Sequence, residues 1–294
     1  MDGEKTRVLL VRYVLKFSRG TTMAGGDWRG MDRATLSRAY DNSGAVAGSS
    51  AFMASLRERS AAFRAARTGE LDLPYGAGER QRFDLFRCGR DGAPLLAFIH
   101  GGYWQRNDKA GFAALAEGPL ARGLDVAMIG YTLCPQATMT ALCAEIPAAL
   151  ARLRAHAGPS RLVVSGWSAG GHLAALAMAC PEVDAGLAVS GIFDLAPIRR
   201  TALDDALRLT ADEVAALSPI RHLPRRAGPL TVAYGADELP ELCRQSQVYQ
   251  AAWAGTGLAG DLLPLAGDDH FTVLDQMIRP DGALTEAALR LATG

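Results

Sequence analysis

Five residues, Gly166-Trp167-Ser168-Ala169-Gly170, have the spacing of a serine placed on a sharp strand-to-helix turn. Such a turn lifts the hydroxyl above the edge of a sheet, where it can act as an acyl-transfer nucleophile. The flanks suit that geometry, because LVVS precedes the motif and the small-residue run AGGHLAALAMA follows it. A second segment, His100-Gly101-Gly102-Tyr103-Trp104, comes directly after the apolar run LLAFI. Glycines there let backbone N–H groups approach a developing oxyanion, so the expected donors are the amides of Gly102 and Tyr103 with that of Ala169. A serine also needs a base and an orienting carboxylate. Of the five histidines, His270 follows a late strand, DLLPL, and sits in the loop Ala266-Gly267-Asp268-Asp269-His270-Phe271. That is the last place in the order serine, acid, histidine. The acid is expected between them, after the strand Pro229 to Tyr234, and Asp237 is the choice, with Glu238 beside it and Asp194 one strand earlier as rivals. The competing view of Asp237 is a helix cap for the segment starting near Leu239.

These groups need a rigid frame. Short β-type runs (Gln81 to Arg87, Pro94 to Ile99, Leu124 to Gly130, Arg161 to Ser165, Gly186 to Ser190, Pro229 to Tyr234, Asp261 to Leu265) alternate with Ala-rich helical stretches. The helical stretches are Asp108 to Ala121, Met139 to Ala155, Ser168 to Ala179, Leu239 to Ala254 and Leu284 to Ala292, preceded by Met31 to Tyr40 and Ala51 to Arg67. Strands apolar throughout are expected where both faces of a sheet are covered, and strand–helix alternation implies a mostly parallel sheet. The fold class is therefore α/β, a mostly parallel central sheet flanked by helices. Residues 31–294 read as one domain after an N-terminal extension, 1–30, and the helical DDALRLTADEVAAL between prolines suggests a small cap insertion about 194–224.

Composition removes other classes. Lys plus Arg and Asp plus Glu both number 31 in 294 residues, so no net charge attracts nucleic acid or an anionic membrane. Five cysteines without a CxxC pair point to reduced thiols and a cytoplasmic protein. The apolar, basic RVLLVRYVLKF is too short to span a bilayer and reads as a peripheral helix or strand, or as an over-long start before Met23 or Met31. No HExxH, zinc-spaced Cys/His cluster, GxGxxG or P-loop occurs, so no metal and no cofactor are expected.

HGGYW, GWSAG, Asp237 and His270 in this order resemble the α/β-hydrolase superfamily, nearest to esterases of the hormone-sensitive lipase type. SGIFDLAPIRRT, DDALRLTADEVAALSP, GADELPELCRQS and DDHFTVLDQM resemble more narrowly the serine-dependent kynurenine formamidases (arylformamidases), as does the HGG-x-W loop. MDRATLSRAYDNSGAV and YGAGERQRFDLFR read like that group's usual lead-in, so the likeness spans roughly residues 31 to 290. It implies hydrolysis of an aryl N-formamide, N-formylkynurenine to kynurenine and formate, with Ser168 as nucleophile, Asp237 as acid, His270 as base and Gly102 and Tyr103 at the oxyanion. Two departures bear on the substrate: Trp167 stands where His is frequent, and Leu242 with Cys243 replace a bulkier aromatic and basic pair. Tyr103, Trp104, Trp167, Tyr131 and Phe193 are candidate walls of an aromatic pocket. The implied partner is a small aromatic amide or ester, with a homodimer left open. A carboxylesterase or other N-acyl aromatic amide hydrolase remains an alternative, as does a non-catalytic binding protein of the same fold.

Overall fold

The structure, a computed structural model, describes residues 28–294. The RVLLVRYVLKF segment and almost all of the expected extension lie outside the described residues. Eight strands form one sheet: β1 (Glu70–Pro74), β2 (Arg82–Phe86), β3 (Leu95–Ile99), β4 (Asp125–Ile129), β5 (Leu162–Trp167), β6 (Ala185–Val189), β7 (Leu230–Gly235) and β8 (Gly260–Leu265). Their order is β1-β2-β4-β3-β5-β6-β7-β8. β2 runs antiparallel to both β1 and β4, and the remaining pairs are parallel. This is the α/β-hydrolase arrangement.

The apolar strands behave as two-sided core. Every residue of β3 to β7 is buried. Alternate residues feed separate cores because side chains alternate across a strand. Leu95, Ala97, Ile99 and Val164 pack on one face, whereas Leu96, Phe98 and Val163 pack on the other. The main helices are α1 (Arg33–Arg38), α2 (Ser49–Ala66), α3 (Met139–Ala157), α4 (Ala169–Ala177), α5 (Ala211–Leu217), α6 (Pro240–Gly255) and α7 (Ala283–Thr293). The first core takes its helical side chains from α3, α4 and α6, and the second from α2, α7 and the helical stretch 109–121.

Three elements differ from the sequence expectation. β1 was not expected: it is an edge strand with no fully buried residue, Leu71 being 40% exposed, so it lacks an apolar run. The helix expected over Asp108 to Ala121 is a 3-10 stretch, Lys109–Ala116, followed by one α-turn, Glu117–Ala121. Pro119 explains the break, since its ring would meet the Leu115 carbonyl in a continuous α-helix. DDALRLTADEVAAL is also two pieces, Asp204–Leu207 and α5, because Arg208 takes a left-handed conformation (φ 53°). Thr210 then starts α5 with a reciprocal capping box to Glu213. These pieces, with the turns Ile198–Arg200 and Pro219–Arg221, fill the connection from β6 to β7.

The front of the chain is tied to both layers. Arg64 of α2 pairs with the fully buried Asp84 of β2, and Lys109 pairs with Asp84 at 2.6 Å and Asp72 at 2.7 Å. On the β6–β7 side, Arg33 pairs with Asp205 and the Arg200 guanidinium donates to the carbonyls of Arg29 and Met31. Residues 37–57 are thereby held over the C-terminal ends of the parallel strands, the usual place for a ligand site in such sheets.

Candidate active site

Ser168 sits between β5 and α4 with φ 58° and ψ −118°. A non-glycine residue there carries strain on the order of 1–3 kcal/mol, held by the surrounding structure. Its amide donates to the Val189 carbonyl at 2.8 Å, which fixes the turn to β6. Gly170 is obligatory at its position, since a Cβ there would run into the backbone carbonyl of Ile99. The close crossing of α4 over β3 follows from that absence of a side chain.

The Ser168 Oγ lies 3.2 Å from His270 Nε2, and His270 Nδ1 lies 2.9 Å from Glu238 Oε2. All three side chains are buried. A carboxylate only accepts, so Nδ1 carries the ring proton and Nε2 of the neutral imidazole is the acceptor facing the serine hydroxyl. Glu238 is fixed in turn: the Ser190 hydroxyl donates to Oε1, and so does the Gly235 amide at 2.8 Å. Asp237 is therefore not the carboxylate brought to His270, and Asp194 is not either. Asp237 is exposed at the apex of the turn after β7, where its amide donates to Asp268. The same turn, closed by the Glu238 amide on the Gly235 carbonyl, points the next side chain inward. Asp194 instead caps its own loop through the amide of Ala196. Two adjacent carboxylates cannot be separated by spacing alone, and no stronger sequence signal was present.

The HGGYW loop passes directly beside the serine. A Cβ on Gly101 would come within 2.9 Å of Ser168 Cβ and 2.7 Å of the Trp167 carbonyl oxygen. Gly102, Tyr103 and Trp104 all have positive φ, at 116°, 50° and 58°. The two aromatics hold this strained path. Tyr103 donates its hydroxyl to the Tyr40 carbonyl at 2.6 Å, and Trp104 Nε1 donates to His172 Nδ1 at 3.2 Å. His172 Nε2 then donates to the Leu217 carbonyl at 2.8 Å. His172 is thus a neutral structural link, and burial lowers its pKa to about 4. His100 is likewise buried, stacked on Tyr131 at 4.5 Å, with Nδ1 donating to the Gly101 carbonyl, and burial lowers its pKa to about 4. Tyr131 braces the loop by donating to the His100 carbonyl at 3.0 Å.

A cleft of about 620 Å³ opens over Ser168 and His270. Of the expected aromatic walls, Trp167 and Tyr103 line it, whereas Trp104, Tyr131 and Phe193 do not. Trp104 and Tyr131 are used up as loop supports, and Phe193 stacks on Tyr249 at 4.2 Å within the core. Trp167 packs 4.9 Å from the His270 ring and donates Nε1 to the His270 carbonyl at 2.8 Å, so it also orients the histidine. The other wall comes from the front of the chain, including Tyr40, Asn42 and Met53. The sequence does not mark it as a site because Tyr40, Asn42 and Met53 form no chemical motif and meet Ser168 only through tertiary packing. Three arginines, Arg38, Arg57 and Arg106, line the cleft against one acid, Asp41, and none of the three forms an ion pair among the described residues.

Four of the five cysteines are shifted toward the less reactive thiol form. Burial raises the pKa of Cys134 and Cys243 to about 11 and pushes Cys143 and Cys180 upward too. Among the described residues no three His, Cys, Asp or Glu side chains converge to hold a metal ion, and no helix is long and apolar enough to cross a membrane.

Comparison with known proteins agrees with this geometry. Residues 86–185 match the BD-FAE family model. The chain is 30% identical over 242 residues to the kynurenine formamidase of Salmo salar and 29% identical over 240 residues to that of Danio rerio, in each case over 75% of this chain and 81% of the relative. Among solved structures, a candidate thioesterase from Silicibacter sp. tm1040 is 29% identical with a TM-score of 0.81, over 88% of this chain and 99% of that one. An esterase from Pyrobaculum calidifontis shares the fold at a TM-score of 0.67 and 17% identity, over 90% and 94% of the two chains. The chain belongs to the kynurenine formamidase family of α/β-hydrolases, and it is a hydrolase of amide or ester bonds.

Proposed function

We propose that the protein is a serine hydrolase that cleaves an aryl N-formamide, converting N-formylkynurenine to kynurenine and formate through a formyl-serine intermediate. The observation that carries this reading is the hydrogen-bonded chain from Ser168 through His270 to Glu238 beside the HGGYW loop. His270 Nε2 takes the Ser168 proton as Oγ attacks the formyl carbon. The amides of Gly102, Tyr103 and Ala169 hold the resulting oxyanion, each contributing about 3 kcal/mol to the transition state. Their value lies in being fixed beforehand, which the anchors Tyr103–Tyr40 and Trp104–His172 support. His270 then gives its proton to the departing arylamine nitrogen and the C–N bond breaks. Water attacks the formyl-serine with His270 again as base, and formate leaves with Ser168 regenerated. Glu238 keeps the proton on Nδ1 throughout and stabilises the imidazolium.

Arg38, Arg57 and Arg106 on the cleft, which form no ion pair among the described residues, give an anionic substrate group a place to go, which a carboxylate-bearing amide supplies and a simple alkyl ester does not. A carboxylesterase with the same machinery is the second reading, favoured by the fold shared with esterases. Labelling with a fluorophosphonate tests the serine chemistry: wild type should be labelled at Ser168 and Ser168→Ala should not. An unlabelled wild type overturns it.

A further inference from the structure

The loop beside Ser168 has to aim an amide at the oxyanion across the Gly101–Gly102 peptide, and glycine on both sides leaves that unit free to rotate. Neither position tolerates a side chain: a Cβ on Gly101 would run into Ser168 and one on Gly102 into the Arg106 carbonyl. Rigidity therefore has to come from outside the two glycines. It comes through the Gly101 carbonyl oxygen, which receives two donors and so uses both of its lone pairs. His100 Nδ1 donates to it at 2.9 Å and Asn107 Nδ2 at 3.1 Å. A carbonyl only accepts, so it is the NH2 side of the Asn107 amide that faces Gly101. The peptide is trans, so its Gly102 N–H points away from these two donors. That N–H has no acceptor among the described residues, which leaves it open to an oxyanion. Asn107 lies beyond the HGGYW sequence and is itself held in place. It takes φ 75°, a left-handed conformation that asparagine tolerates better than most side chains. Its carbonyl accepts from Arg80 at 2.7 Å, and the same guanidinium donates to the Tyr131 carbonyl at 2.9 Å. A Cβ on Gly102 would meet Asn107 Nδ2 at 2.7 Å, so the amide packs directly against the loop.

We propose that Asn107 is a positioning residue for hydrolysis: its side-chain amide, with His100, pins the Gly101–Gly102 peptide so that the Gly102 N–H is aimed at the oxyanion before substrate arrives. The inference rests on the acyl-serine reading, in which that N–H is an oxyanion donor. Without the Asn107 amide His100 is the single tether, and the Gly-Gly peptide spends part of its time rotated. A rotated peptide turns its carbonyl oxygen, rather than an N–H, toward the developing negative charge. Removing an oxyanion donor outright costs about 10²- to 10³-fold in kcat, so a donor misdirected part of the time should cost about tenfold. The cost falls on kcat and not on KM, because the oxyanion exists only after attack.

The test uses Asn107→Gly, which keeps the left-handed backbone and removes the donor, and Asn107→Asp, which keeps the shape and sets an acceptor against the Gly101 carbonyl. N-formylkynurenine and p-nitrophenyl acetate serve as substrates, and an aryl trifluoromethyl ketone, which forms a tetrahedral adduct with a serine, serves as the transition-state mimic. The expected fall in kcat is about tenfold for Asn107→Gly and about 10²-fold for Asn107→Asp. KM should stay within about twofold, and Ki for the ketone should rise by the same factor as kcat/KM falls. A packing role alone would lower the thermal midpoint and leave kcat and Ki of the folded enzyme in place. A kcat within about twofold of wild type in Asn107→Gly, or a loss confined to KM, overturns the role of Asn107 and leaves the serine mechanism intact. If wild type cleaves the ester but not N-formylkynurenine, the formamidase reading fails and the same comparison is read on the ester. Turnover of neither substrate by wild type overturns the acyl-serine reading, and the role of Asn107 with it.

Discussion

Replacing Glu238 by glutamine preserves shape and changes one atom from acceptor to donor. The Oε1 position receives two donors, the Ser190 hydroxyl and the Gly235 amide, so the glutamine carbonyl must stay there. Its NH2 group then occupies the position 2.9 Å from His270 Nδ1. A donor facing Nδ1 forces that nitrogen to accept, which moves the ring proton to Nε2. The nitrogen 3.2 Å from Ser168 can then no longer take the serine proton. The equivalent tautomer error in serine hydrolases with this constellation lowers kcat about 10⁴-fold, or about 5 kcal/mol of transition-state stabilisation. Asp237→Asn, at an exposed position away from the histidine, should stay within about twofold of wild type. Steady-state hydrolysis of N-formylkynurenine, followed by appearance of kynurenine, measures both variants. A similar thermal midpoint for Glu238→Gln and wild type shows that the loss is chemical, because both bonds at the Oε1 position survive and the one to His270 is only reversed in direction. The reasoning is refuted if Glu238→Gln keeps more than a tenth of the wild-type kcat, or if Asp237→Asn is the variant that collapses.

Gly101→Ala should lower kcat about 10²- to 10³-fold with a smaller change in stability. Its Cβ would sit 2.7 Å from an immovable backbone carbonyl and push the loop off Ser168, costing one oxyanion donor; an unaffected kcat rules out this close approach. Trp104→Phe should destabilise the protein by about 1–3 kcal/mol by leaving His172 Nδ1 buried without a donor, as read by chemical denaturation. Acid should destabilise the fold as the pH falls below about 6.5. The unfolded chain binds protons at His100 and His172 near pH 6.5, whereas the folded chain does so only near 4. Stability is thus fully present above about pH 6.5 and falls toward pH 4 by up to about 3 kcal/mol per histidine. A thermal midpoint that is flat between pH 7 and 4.5 contradicts this.

Much of the frame was readable because its signals are local. GWSAG marked both the strand end and the helix start, and the two-sided burial of β3 to β7 was written in their unbroken apolar runs. Chain order put Ser168 and His270 forward together, and the structure sets Oγ and Nε2 3.2 Å apart. What escaped the sequence depended on contacts between distant segments. The choice between Asp237 and Glu238 was made by a turn that closes on Gly235 and by Ser190, 48 residues away. Trp104, Tyr131 and Phe193 look like ligand-binding aromatics in one dimension, but in three they brace a loop or fill the core. The cleft wall from residues 37–57 is polar and unpatterned, and it gains meaning only when Arg64 and Lys109 tie the front of the chain over the sheet. The break at Arg208 was partly visible, since Thr210 and Glu213 spell a capping box inside what looked like one helix.

The most direct test of the formamidase account is the kcat/KM of the wild-type protein for N-formylkynurenine, measured beside a p-nitrophenyl acyl ester and beside the Ser168→Ala variant. The account predicts efficient release of kynurenine and formate, a clear preference over the ester, and loss of both activities in the variant. Rapid ester turnover with hardly any turnover of N-formylkynurenine, or persistent kynurenine release by Ser168→Ala, would contradict it.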